Sequence, residues 1–151
     1  MNNHIEVIDI DFNDSITAAV EYMSTSPDQI QIHVEPVHRF AEGLYSREFT
    51  MPAGSNWVSR VHKHENFAFI IKGSCTVVSE NGATYYEAPQ LIKTLAGTQR
   101  FLKIHEECTW VTVHAIPPEV GHDIDQIEEY CACFTMAEYE QNLIAEQGKL
   151  T

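Results

Sequence analysis

From Gln29 to Ile116 the chain is a succession of short runs rich in Val, Ile, Thr, Tyr and Phe, each closed by turn residues. That rhythm, repeated over most of a sequence, leaves few folds open: it is the pattern of an antiparallel sandwich or barrel. The runs predict strands over 30–34, 43–50, 56–63, 67–72, 74–79, 84–87, 91–95, 99–104 and 109–115, a barrel core of about 29–116. Turns are expected at Pro52-Ala-Gly54, Lys72-Gly73, Asn81-Gly82, Ala88-Pro89 and Ala96-Gly97, with Asn81-Gly82 a hairpin signal. Both ends read differently. Asn13-Asp14-Ser15 caps a helix over 14–25 that carries Ile16, Val20 and Met23 on one face and stops at Pro27. After Pro117-Pro118, helices are expected over 123–130 and 135–147, the second opened by the capping box Thr135-Met-Ala-Glu138 and ended by Gly148. Its stripe of Tyr139, Leu143 and Ile144 would pack on the domain itself or on a partner subunit. With no repeats and no linkers, residues 1–151 read as a single domain.

Within the β region, Val61-His62-Lys63-His64 places two histidines one residue apart. On a strand they point to the same face, where two imidazoles can share a metal ion or an anionic ligand. In a chain with eight histidines the pair could also arise by chance. Gly54, the H-x-H pair, the apolar run Phe67 to Ile71 and Gly73 together resemble the first motif of the cupin superfamily. The second motif is similar at Leu95-Ala96-Gly97. The segments His38–Glu48, Met51–Gly54, Glu87–Pro89, Ala96–Arg100 and Glu107–His114 resemble small cupin-like proteins of phages and prophages, over roughly residues 36–130. The resemblance implies a mainly β cupin fold, a double-stranded β-helix or jelly-roll barrel, with an N-terminal helix and C-terminal helices. It also implies a homodimer, and a divalent metal (Zn, Fe, Mn or Ni) on His62 and His64. Two departures bear on that site. Phe67 and Ala68 stand where cupins carry a ligating glutamate, and Arg100 stands where the third histidine belongs.

A guanidinium is permanently charged and does not ligate metals in the ordinary way, but it clamps carboxylates and phosphates well. Arg100 beside His62 and His64 would make a cationic pocket for a small anion; the alternative is a structural salt bridge. Arg47, between Tyr45 and Phe49 on one strand face, would line the same pocket or partner a buried glutamate. His114, in phase with Trp110 and Thr112, would face inward as a ligand contact or as a bonded core histidine. His33, His38 and His105 are expected in surface or turn roles, His105 in an ion pair with Glu106-Glu107, and His122 at a helix start. Cys75, Cys108, Cys131 and Cys133 are read as thiols, the last two as small residues on a buried face.

A net charge of -13, from 9 basic and 22 acidic residues, argues against nucleic acid or an anionic membrane as partner. No apolar run reaches membrane-span length and the first residues lack a signal-peptide pattern, so a cytoplasmic protein is expected, in the host cytoplasm if phage-encoded. Three functions stay open. The first is a binder of a small anionic metabolite, nucleotide or sugar derivative, which senses or sequesters it. The others are a metal-dependent isomerase or oxygenase using His62 and His64, and a structural or interaction protein.

Overall fold

The computed structural model describes residues 15, 16, 18, 19, 21, 32–80 and 82–149. The chain divides into two units, residues 1–31 and 32–151. In the first, the described residues 15, 16, 18, 19 and 21 are helical and Ile16 is buried. The rest of the helix expected over 14–25, with Val20 and Met23, lies outside the described residues.

The second unit is mainly β, as the sequence rhythm requires. Its elements are β1 (Val37–Ala41), β2 (Leu44–Met51), β3 (Asn56–Val58), β4 (Val61–His62), β5 (Asn66–Ser79), β6 (Gly82–Glu87), β7 (Gln90–Thr94) and β8 (Phe101–Ala115). A 3₁₀ turn (Pro118–Val120), α1 (Ile124–Cys131), β9 (Ala132–Cys133) and α2 (Met136–Lys149) follow. All pairings are antiparallel: β1-β2-β8-β5-β6 in order, with β3 beside β8, β7 beside β5, and a separate β4-β9 ribbon. This is the expected fold class, mainly β and antiparallel, with helices at its C-terminal end.

Several boundaries differ from the sequence reading. The strands expected at 67–72 and 74–79 are one strand, β5, and those at 99–104 and 109–115 are one strand, β8. Lys72-Gly73 is therefore no turn. It is the bulge at which β5 bends, with register against β8 shifting between Ile70 and Lys72, Lys72 and Ser74, and Ser74 and Cys75. Gly73 has φ +81, and a Cβ there would sit 2.0 Å from the carbonyl oxygen of Glu107, so only glycine fits. The run expected over 56–63 is broken into β3 and β4, residues 32–34 are irregular, and the first strand of the unit is β1, which the turn-to-turn reading had not marked.

Alternation fills the barrel. Ala68 and Ile70 on β5, Leu102, Ile104, Cys108 and Trp110 on β8, and Met51 on β2 form the main core with Cys75 and Val77. A second cluster packs Ile127 and Cys131 of α1 on Tyr45 of β2, which fixes the helix across one end of the barrel. Helix α1 begins where Asp123 accepts a hydrogen bond from the Gln126 N–H at 3.0 Å. Helix α2 has half of its expected capping box: the Glu138 N–H donates to Thr135 Oγ1, while the Glu138 carboxylate accepts from the N–H of Phe134, one residue before the cap, both at 3.1 Å. Gly148 does not stop it, since the helix continues to Lys149. Of the α2 stripe, Tyr139 packs over Gly97, while Leu143 and Ile144 are exposed.

Candidate functional site

Strand alternation on β2 and β8 builds the floor of a cavity. Tyr45, Arg47, Phe49 and Met51 face inward from β2, and their cross-strand partners are His114, Thr112, Trp110 and Cys108. The cavity, about 270 Å³, is closed by Trp57 of β3, by Ser59, Arg60 and His62 on the next stretch, by Arg100, and by Glu128 and Cys131 of α1. His62 and Arg100 meet because the stretch 59–62 and the stretch 98–100 hydrogen-bond to each other. The Ser59 N–H donates to the Arg100 carbonyl at 2.9 Å, and the Arg100 N–H to Ser59 Oγ at 2.9 Å. The His62 N–H donates to the Thr98 carbonyl at 3.0 Å.

Four of the five residues singled out from the sequence, Arg47, His62, Arg100 and His114, therefore line one cavity. His64 does not. Strand β4 ends at His62, where the Lys63 N–H is taken by the Cys131 carbonyl at 2.8 Å, so the two-residue period lapses. The His64 ring lies instead on Tyr130, 4.3 Å between centroids. Among the described residues no three His, Cys, Asp or Glu side chains converge as a metal site. Of Phe67 and Ala68, where the resemblance would place a ligating glutamate, Phe67 is half-exposed and Ala68 is buried in the core. The donor set gathered here fits an anion better than a cation.

The charges in the cavity are unusual. Ion pairs among the described residues are made by Arg39 with Glu48, Arg60 with Glu128, Lys72 with Glu107, Lys93 with Glu65 and His33 with Glu35; Arg47 and Arg100 join none of them. The salt-bridge alternatives weighed for these two arginines thus find no partner among the described residues. Arg100 donates to Thr94 Oγ1 at 3.1 Å, and burial pulls its pKa down. Arg47 has a buried Nε without a hydrogen-bond partner, and its guanidinium lies 5.5 Å from the centre of the Phe49 ring. Leaving such a group unpaired costs roughly 1–3 kcal/mol, more when charged.

Both cavity histidines are neutral at physiological pH. Burial, then the charge of Arg100, with smaller contributions from His114 and Arg47, pushes His62 down to about 4. Burial followed by Arg47 does the same to His114, also to about 4. The Asn66 amide nitrogen donates to His62 Nδ1 at 3.2 Å, so the neutral ring keeps its proton on Nε2 and remains a donor. His114 Nε2 is bonded to Thr112 Oγ1 at 2.9 Å.

Sequence reasoning missed one neighbour. His38 is not a surface or turn residue: from β1 its Nδ1 bonds Tyr45 Oη at 2.6 Å. Successive rings of His38, Tyr45, His114 and His62 stand 5.8, 5.9 and 6.3 Å apart. Burial pushes the Tyr45 hydroxyl up to about 12, so it stays a protonated donor. The signal in the sequence was His38-x-Phe40, two positions on one face of β1, of which His38 is half-buried and Phe40 exposed. His105 bonds Thr76 Oγ1 at 2.7 Å and leans on Tyr85, not on the glutamates beside it, and His122 lies against Phe40.

No family model matches the chain, and no curated protein matches it. Solved structures similar to it include a cupin-2 domain containing protein from Shewanella frigidimarina, at 11% identity and TM-score 0.47, over 71% of this chain and 94% of that one. The Schizosaccharomyces pombe Cnp3 cupin domain is similar at 17% identity and TM-score 0.49, over 60% and 70%. The Clostridium difficile EutQ protein is similar at 12% identity and TM-score 0.46, over 54% and 67%. These likenesses carry no residue of the site and no activity to this chain. Among the described residues no helix is long and apolar enough to cross a membrane.

Proposed function

We propose that this protein binds a small anionic molecule in the barrel cavity. The observation that carries the reading is the pair of inward guanidiniums, Arg47 and Arg100, without a carboxylate partner among the described residues, in a chain of net charge -13. A protein with so many carboxylates pairs its buried cations easily, so two unpaired ones facing a cavity mark a place for a ligand's negative charge. His62 Nε2–H supplies a neutral donor, and Phe49, Trp57 and Trp110 supply apolar and aromatic wall. The cavity, about 270 Å³, lies just below the usual range for ligand sites of about 300–1,000 Å³, which favours a small metabolite over a nucleotide. Taken with the phage-type resemblance of residues 36–130, the role is to sense or sequester a host metabolite in the cytoplasm.

A thermal-shift screen of small carboxylates and phosphate esters against matched neutral amides and alcohols tests this. Anionic members raise the wild-type melting temperature, and Arg47→Ala or Arg100→Ala abolishes the rise. Neutral analogues that stabilise the protein as well as the anions do would sink the reading.

A further inference from the structure

Three guanidiniums line the cavity, those of Arg47, Arg60 and Arg100, against one carboxylate, that of Glu128. Arg60 and Glu128 already face each other at 3.7 Å and cancel. Two positive charges remain in excess by this count, on Arg47 and Arg100, and neither is ion-paired with a carboxylate among the described residues.

Resting on the anion-binding reading above, we propose that the ligand is a dianion, a small dicarboxylate or a phosphate monoester, whose two negative charges neutralise Arg47 and Arg100 together. A monoanion would leave one half-buried guanidinium of the cavity without a counter-charge, and withdrawing an unpaired charge from water is costly. A dianion leaves none. The groups with unspent hydrogen-bonding capacity agree with this in sign. Arg47 Nε is a buried donor without a partner, and His62 carries its proton on Nε2 because Nδ1 accepts from Asn66. A ligand made only of acceptors, as carboxylate and phosphate oxygens are, suits them. The Phe49–Trp57 pair, edge to face at 5.1 Å, provides the apolar side for the ligand's carbon skeleton.

Trp57 and Trp110 line the cavity, so their fluorescence reports occupancy directly. The full chain at pH 7.5 is titrated with two matched pairs: succinate against butyrate, and phenyl phosphate against methyl phenyl phosphate, the monoanionic diester of the same ring. The expected result is a dianion bound at least tenfold more tightly than its monoanion partner in one of the pairs; which pair responds separates a dicarboxylate from a phosphate monoester. In Arg47→Met and in Arg100→Met that preference falls to threefold or less. A monoanion bound as tightly as its matched dianion overturns the charge inference while leaving the anion reading intact. No response to any of the four probes overturns both. The wild-type comparison decides the matter even where an arginine variant fails to fold.

Discussion

Replacing Gly73 with alanine tests the geometry on which the barrel depends. The new Cβ would lie 2.0 Å from the Glu107 carbonyl oxygen, 2.7 Å from its carbonyl carbon and 2.8 Å from the Cys108 Cα. All three are backbone atoms, so no side chain can swing away, and β8 must be displaced from β5 by more than 1 Å, by rough comparison with an ordinary van der Waals separation. Three costs add. A left-handed φ costs a non-glycine residue about 1–2 kcal/mol. Forced displacement in a packed region costs about 1–3 kcal/mol. Ladder bonds beside the bulge, around Lys72↔Thr109 and Ser74↔Glu106, weaken by about 1 kcal/mol each. The sum is roughly 4–7 kcal/mol, or a fall in melting temperature on the order of 10–25 °C for a chain of this size. Gly43 provides the control: it too has positive φ, +72, but a Cβ there meets nothing within 4 Å. Gly43→Ala should lose only about 1–2 kcal/mol, the backbone term alone. Urea denaturation followed by circular dichroism measures both. If Gly73→Ala is no more than about 1 kcal/mol worse than Gly43→Ala, by the error of such extrapolations, the close approach of β5 and β8 is not as described.

Other perturbations have equally definite outcomes. His114, faced by Arg47 and by the His62 ring, is pushed down to about 4 in the folded state, against about 6.5 when unfolded. The unfolded chain binds the proton first, so this contribution is complete above pH 6.5 and is lost as pH falls toward 4, about 1.4 kcal/mol per pH unit. His114→Gln should flatten the difference in urea stability between pH 7 and pH 5 by about 2 kcal/mol relative to wild type; an unchanged slope would contradict the burial of a neutral ring. Thr135→Ala removes the acceptor for the Glu138 N–H and should cost about 1 kcal/mol, seen as a lower helical signal or urea midpoint. Cys75 and Cys108 are fully buried and should resist a thiol reagent in the native protein and react in urea; rapid native labelling of both would place them wrongly.

Much of this architecture could be read from residue order. The two-residue period put Arg47 with Tyr45 and Phe49, and His114 with Trp110, on the inward face where the structure has them, since alternation is a local property of any strand. Arg100 was identified by its place in a motif, and it does line the cavity. His64 failed because the same period was extended past the end of β4, and that end is set by a distant partner, the Cys131 carbonyl bonded to Lys63 N–H. Gly73 was mistaken for a turn because glycine in a turn and glycine in a bulge look alike until the opposing strand is known. His38 was missed for a related reason: its partner Tyr45 is fixed by β1–β2 register, a non-local property.

The most direct test of the anion site is native mass spectrometry of the untagged protein, purified gently, with elemental analysis of the same sample. The account predicts a co-purifying small anion that is retained by the wild type and lost in Arg47→Ala and Arg100→Ala. A stoichiometric metal that disappears in His62→Ala and His64→Ala, with no anion dependent on either arginine, would contradict it.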